Sequence, residues 1–370
     1  MNSEHKMWNG LVTIGEHVSF VYKDSRGMNT GNIWNNNLRS AFSASPIIPV
    51  YDADGNYNST VNSDWNVNDG NPYGNMMMNR YNNSKNGSLD ANVYVQIEPI
   101  KNLRFKTVYG ISYGASEYRS YTPKYQFTPQ TANTVSKVNQ SHGHGLSMVW
   151  TNTLSYDFDL ADEHHINALI GSELSTYDGS NTEGSNTGLI PGFDDWDHAY
   201  LVNTDGTENK TVKGSPYDST RGMSFFARLG WTWKERYMVN ATMRADGSSK
   251  FAKGNRWGYF PSVSAGWTLS EEKFMGWSES WLDNFKIRAS IGSLGNANID
   301  PYQYLETMTA TNSASIAKSS VIINGQNVPY TSVPDLIPDD ITWEKVTTYN
   351  IGLDLDLFNN LSLIHISEPT

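Results

Sequence analysis

The chain contains no cysteine, no long apolar run and no block of positive charge, and each absence removes a class of protein. Without a thiol there is no disulfide framework, no cysteine nucleophile and no thiolate metal site. A helix that crosses a bilayer needs about 18 or more consecutive apolar residues, and with none present strands are the only route through lipid left open. The 27 Lys and Arg against 38 Asp and Glu give a formal charge of −11 without a clustered basic face, which argues against nucleic acid as a partner. Metalloprotease, nucleophile-elbow and phosphate-loop motifs are missing, so neither enzymatic activity nor a cofactor is expected. No basic, apolar leader follows Met1, and native sequence is expected upstream of it.

What the chain does have is alternation. Leu146, Met148, Trp150, Asn152, Leu154, Tyr156, Phe158 and Leu160 share one parity, against Ser147, Val149, Thr151, Thr153, Ser155, Asp157 and Asp159 on the other. Period two over this length means a strand with one oily and one wet face. Soluble strands usually stop at about six residues, whereas a tilted strand crossing a bilayer needs roughly 9 to 11. Ten such stretches are predicted, at 11–23, 88–98, 102–116, 145–159, 163–177, 221–234, 236–247, 257–270, 284–294 and 343–357.

The gaps between them alternate in size. Long connections occupy 24–87, 117–144, 178–220, 248–256 and 295–342, and short ones lie near Pro99, Leu160, Glu235 and 270–283. Short turns inside and long loops outside are the rhythm of a transmembrane barrel. The predicted fold class is therefore all-β: a transmembrane antiparallel β-barrel, incomplete, with about ten strands present. The wet parities carry Arg228, Arg244, Lys286 and Arg288, which belong in a lumen because a charge at the lipid midplane costs roughly 2–4 kcal/mol. The 12 Trp and 21 Tyr suit aromatic belts at the two lipid boundaries. Segment 271–283, with Phe274, Trp277, Trp281 and Leu282, is predicted as a turn or two of helix at one rim.

The long connections, such as 62–75 and 179–188, are rich in Asn, Gly, Ser and Tyr, a composition that resists regular structure and displays aromatic faces beside amides. Trp65, Tyr73 and Trp196 are the candidate ligand contacts there. Asp194, Asp195 and Asp197 form a candidate Ca²⁺ site in an outer loop, although no calcium-loop motif surrounds them. His164 and His165 are adjacent and point to opposite faces, and His142 and His144 lack a nearby carboxylate, so no metal centre is expected from histidine. Asp246, Lys250 and Arg256 are expected to pair at the base of the 248–256 loop.

Five ordered segments resemble the SusC/RagA family of TonB-dependent outer-membrane transporters, over about residues 10 to 360. They are PIIPVYDADGNY (46–57), VYVQIEPIKNLRFKTVYGISY (93–113), RADGSSKFAKGNRWGYFPSVSAGWTLSEEKF (244–274), LDNFKIRASIGSLGNANIDPYQYL (282–305) and ITWEKVTTYNIGLDLDLFNN (341–360). Within them Asp246, Gly247, Phe251, Arg256, Trp257, Gly258, Phe260, Pro261, Trp267, Gly295, Asn296, Trp343 and Glu344 are the family-type positions, expected to fix strand and loop geometry.

The resemblance implies a barrel of about 22 strands in the outer membrane, with a plug and a TonB-contacting segment in regions absent here. It also implies a SusD-like surface lipoprotein as partner, the TonB–ExbB–ExbD complex as energy source, oligosaccharide ahead of peptide as cargo, and lipid or lipopolysaccharide around the wall. Residues 1–361 are then part of the barrel, and 362–370, which depart from the family pattern, are expected to be a non-native tail. Two alternatives stand beside this one: a small passive porin, and a secreted β-sandwich domain that binds carbohydrate or acts as an adhesin.

Overall fold

The computed structural model describes all residues except 28–38, 40, 43, 61–69, 130, 162, 207–209, 215–218, 279, 307–309, 312–320, 329, 332–339, 359–360 and 368–370. Twelve strands lie side by side in one antiparallel sheet. They are β1 (Asn2–Met7), β2 (Val12–Ser25), β3 (Asn82–Ile100), β4 (Leu103–Thr122), β5 (Lys137–Leu160), β6 (His164–Thr187), β7 (Thr220–Trp233), β8 (Tyr237–Ser248), β9 (Trp257–Thr268), β10 (Leu282–Asn296), β11 (Glu344–Leu357) and β12 (Leu361–Ser367). Each pairs with its neighbour in sequence, and the short strand Thr211–Gly214 adds to the outer end of β6. Among the described residues no pairing joins β1 to β12, so the sheet is open at both edges.

All ten predicted strands are present. The two edge strands were not predicted. β1 is almost wholly polar and gives no alternation, and β12 lies in the segment read as a tail, where it pairs with β11 from Leu357↔Leu361 to Ile351↔Ser367.

One end of the sheet is closed by short turns that exploit left-handed backbone. Lys101 and Asn102 alone join β3 to β4, with Asn102 at φ 67 and its N–H donated to Glu98 Oε1 at 2.8 Å. Lys234 and Glu235, at φ 51 and 57, turn β7 into β8, the paired positive-φ geometry that matches strand twist. Between β9 and β10 the chain forms the short 3₁₀ turns Leu269–Glu271 and Lys273–Ser278, as the sequence predicted, and leaves Phe274 and Trp277 exposed.

The other end is taller than the sequence suggested. β5 and β6 are 24 residues each, roughly 80 Å at about 3.3 Å per residue. Tilted by about 45° they still rise well beyond a hydrocarbon core of about 30 Å. The segments 117–144 and 178–220, expected as long connections, are therefore strand where they adjoin the sheet: β4 runs to Thr122, β5 starts at Lys137 and β6 ends at Thr187. Polar and small residues fill both faces at this end, so pairs such as Ser141↔Glu183 and Gly143↔Asn181 leave no apolar alternation to read. Similarly, the polar stretch 62–75 leads into a helix, α1 (Pro72–Met78), with proline in its first turn and Asn71 Oδ1 accepting the Gly74 N–H at 2.9 Å.

The wall is one layer thick. On its apolar parity Trp150, Ile170, Leu229, Val263 and Ile351 are 46%, 58%, 53%, 45% and 61% exposed. A sandwich would bury these side chains against a second sheet, so the sandwich alternative is wrong. An apolar surface this broad is far larger than the patches that monomeric soluble proteins leave in water. The buried cluster sits instead at the tall outer end, where Tyr121, Val138, Leu189 and Ala199 pack together.

Candidate functional site

The opposite parity forms a polar inner face. Thr151, Glu173, Ser224, Asp246 and Gly258 are register neighbours in a transverse row across β5 to β9. Arg244 reaches into that row: its Nη2 donates to Glu173 Oε1 at 3.2 Å and Ser224 Oγ at 3.1 Å, and its Nε donates to Asp246 Oδ1 at 2.7 Å. Thr151 Oγ1 completes Glu173 at 3.2 Å. Charges that would be costly in lipid are thus gathered and hydrogen-bonded on the wet side.

Bulky residues on this face lie flat in notches left by glycine. A Cβ on Gly171 would stand 2.4 Å from the Phe226 ring, one on Gly15 2.3 Å from Tyr94, and one on Gly179 2.6 Å from the Tyr177 hydroxyl. The inner wall is consequently low in relief, a surface against which a second body can sit closely.

On the outer side, at the turn end, aromatic rings form a continuous belt. His164 stacks on Trp231 and Trp233, Trp233 on Tyr237, and Tyr237 on Trp267. Their polar atoms point to the turns: Trp233 Nε1 donates to Glu163 Oε2 at 3.3 Å, and Trp267 Nε1 and the Tyr237 hydroxyl both donate to Glu272 Oε1. These bonds hold both turn carboxylates below their ordinary range. For Glu272 the Tyr237 hydroxyl is the main cause and the Trp267 indole the next; for Glu163 it is the Lys234 ammonium and then Trp233. Each of these rings therefore presents an apolar body to the strand and a polar tip to the turn.

The family-type residues converge at the outer end of β9. The β9–β10 ladder begins at Ser262, just after Pro261, which has no N–H to give. Above it the seam is filled by rings: Phe260 lies against Gly258 and Gly295, 5.4 Å from Trp343, and Trp343 is 5.5 Å from the fully buried Phe251. Trp343 Nε1 donates to Arg256 O at 2.8 Å, Arg256 Nε to Phe251 O at 3.1 Å, and Asn296 Nδ2 to Glu344 Oε2 at 2.9 Å. Gly247 lies under the Trp257 ring, which stacks on Phe225, while Trp267 sits apart in the belt. The expected Asp246–Lys250–Arg256 pairing does not occur: Asp246 takes Arg244, and Lys250 and Arg256 bind the backbone oxygens of Ala297 and Phe251.

At the mouth, Trp196 is committed to packing. The Arg119 guanidinium is sandwiched between Trp196 at 3.9 Å and Tyr200 at 4.1 Å, and Tyr81 stacks on Trp196. Burial and the adjacent Asp194 push the Tyr121 hydroxyl well above its usual range. The Ca²⁺ candidate fails: Asp194 accepts the Tyr121 hydroxyl, Asp195 is taken by the His198 ring, and among the described residues no three acidic or histidine side chains gather around a common point. Tyr73 is 40% exposed and meets Tyr51 and Tyr57, which sequence reasoning passed over although both lie in the 46–57 motif. The Tyr51↔Tyr57 bridge around Asp52 builds that platform. Trp65 lies outside the described residues.

Comparison with known proteins agrees with this architecture. The family described as TonB dependent receptor-like, beta-barrel matches residues 17–366. TonB-dependent receptor P26 of Formosa agariphila is 27% identical over 93% of this chain, which covers 33% of that protein. TonB-dependent receptor SusC of Bacteroides thetaiotaomicron is 38% identical over 37% of the chain and 13% of its own length. The RagAB peptide importer in its open-open state superposes with a TM-score of 0.77 at 20% identity, over 97% of this chain and 37% of that one. The chain thus spans about a third of the length of the curated relatives it matches over most of its extent. It belongs to the TonB-dependent receptor β-barrel family.

Proposed function

We propose that this chain forms part of the wall of a TonB-dependent active transporter that brings large nutrients, oligosaccharides first among them, across the outer membrane. The observation that carries this reading is a single-layered sheet with an exposed apolar face on one side and a hydrogen-bonded, low-relief polar face on the other. The wall performs no chemistry. Its outward side chains meet lipid and lipopolysaccharide, its inward ones meet a plug or moving cargo, and its tall outer strands meet a SusD-like lipoprotein. TonB, ExbB and ExbD act through regions beyond this wall. The exposed Tyr51 and Tyr73 favour sugar faces as cargo, since a ring presents a flat apolar surface beside hydroxyls. Peptide is the second reading, favoured by the likeness to the RagAB peptide importer.

Uptake of fluorescent oligosaccharides and peptides by cells carrying the protein tests both. Energy-dependent accumulation of oligosaccharide, lost when the proton gradient is collapsed, supports the proposal, and equal uptake without a gradient supports a porin. Accumulation of peptide alone replaces the cargo while leaving active transport in place.

A further inference from the structure

One transverse row of the inner face is unsatisfied. Asn240, Ser264, Ser290 and Asn350 are successive register neighbours on β8, β9, β10 and β11. Among the described residues Asn240, Ser264 and Ser290 make no side-chain hydrogen bond, and Asn350 Oδ1 is buried without a partner. Buried amides are seldom left so.

Two cations flank this row on its turn side. Lys286 lies across Gly266, where a Cβ would stand 3.1 Å from its Cε, and Arg288 lies across Gly352, where a Cβ would stand 2.9 Å from its Nε. The Lys286 ammonium touches only the weak thioether acceptor of Met238, at 3.2 Å, and among the described residues no carboxylate lies within ion-pairing distance of it. Arg288 engages Asp354 through Nε alone, at 3.2 Å, which leaves its terminal nitrogens to bond elsewhere. These residues line a cavity of 260 Å³.

The cavity has surplus donors and, counting Lys286, Arg288 and Asp354, one surplus positive charge. That matches a singly charged, planar group with several acceptor sites better than a doubly charged phosphate. We propose that Asn240, Ser264, Lys286, Arg288, Ser290 and Asn350 form a carboxylate socket on the inner wall. It takes either an acidic side chain of a protein segment that occupies the lumen or the carboxylate of a passing cargo molecule. The inference rests on the reading of this face as the inside of a transport barrel.

Carbodiimide coupling of the protein in outer-membrane vesicles tests it, because a carboxylate held against the Lys286 ammonium becomes an amide that mass spectrometry of the digest locates. An amide between Lys286 and an Asp or Glu other than its cross-strand neighbour Asp354, formed with nothing added, identifies a protein segment, whereas an amide to Asp354 alone counts against the socket. An amide formed only when N-acetyl-trialanine is added identifies a cargo carboxylate. In either case Arg288→Met lowers the coupling yield about tenfold, roughly one charge-assisted hydrogen bond. The socket is overturned if Lys286 gives no amide in either arm and is acetylated as fast as the exposed Lys6. Maleimide labelling separates this from a failure of the barrel reading: Ser290→Cys labelled and Ile291→Cys shielded means a wet inner face, so absent coupling then counts against the socket alone. The reverse labelling pattern overturns the inner-face assignment itself.

Discussion

The indole of Trp343 meets the ring of Phe260 edge-on, 5.4 Å between centroids, and together they close the seam that opens between β9 and β10 above Ser262. Behind them Phe251 is fully buried. Phe251→Ala empties that space, and large-to-small changes of this kind typically cost about 3–5 kcal/mol. The midpoint of urea unfolding, followed by the shift of the folded band on an unheated gel, is expected to fall accordingly. Trp343→Phe keeps a ring but loses the bond to Arg256 O, so its midpoint is expected to lie between the two. A Phe251→Ala midpoint equal to the parent's would show that the seam does not hold the outer end together.

The exposed apolar face makes a depth-dependent prediction. Leu229 is 53% exposed in the middle of the apolar parity of β7, whereas Trp233 lies in the belt at its end. Leu229→Arg is expected to destabilise the protein refolded in lipid by about 2–4 kcal/mol, and the charge of Trp233→Arg by about 0–1 kcal/mol. Equal effects at both sites would mean that no hydrocarbon layer lies against β7.

Arg244 is the hub of the inner row, and its removal leaves Glu173 and Asp246, on either side of Ser224, without the cation they share. The side chains of Arg244 and Glu173 are 39% and 31% exposed, so water screens the pair. A double-mutant cycle of Arg244→Met and Glu173→Gln is expected to give a coupling of about 1 kcal/mol or less, shrinking as salt is raised. A coupling that salt does not change would indicate a dry, protein-filled surround at this row.

The stack of Arg119 between Trp196 and Tyr200 ties the 194–200 loop to β4. Cation–π contacts of this kind are worth roughly 0.5–2 kcal/mol each. Trp196→Ala is expected to open the loop to protease at low enzyme concentration, whereas Trp196→Phe, which keeps a face for the guanidinium, protects it. Identical cleavage of the two variants would remove the role assigned to Arg119.

The ten long strands were legible because one face is apolar and the other polar, which imposes period two on the sequence: β5 alternates from Leu146 to Leu160. Its outer third, from Lys137 to Gly145, was not, because polar and small residues occupy both faces there and Gly143, Gly145 and Ser141 look like loop. Residues of the 244–274 motif could be named from the sequence, yet their meeting with Trp343 could not, since it depends on the register β9–β10–β11 that only the folded sheet sets. The packing of Trp196 was hidden for a related reason. Its partner Arg119 sits on a distant strand, and nothing local marks it. Glu173 was visible as a charge on a wet parity, but its partner Arg244 lies two strands away in the sheet.

The turn carboxylates carry a pH dependence of definite sign. Glu272 accepts the Tyr237 hydroxyl and the Trp267 indole, and its folded pKa lies below the ordinary 4.5. Glu163, bonded to Lys234 and Trp233, is lowered likewise. A depressed carboxylate contributes its stabilisation in full above the unfolded value and loses it as pH falls through the folded one. The belt is therefore expected to keep its turns through neutral and mildly acid conditions and to loosen only below about pH 4. Protease cutting in 269–281, measured from pH 6 down to pH 3 with an acid-stable protease, follows this directly. Glu272→Gln retains an amide oxygen for Tyr237 and Trp267 but cannot ionise, so cutting in that variant is expected to stay flat across the range. If the variant and the parent both open at the same acid pH, the belt is released by some other group, and Glu272 does not anchor it.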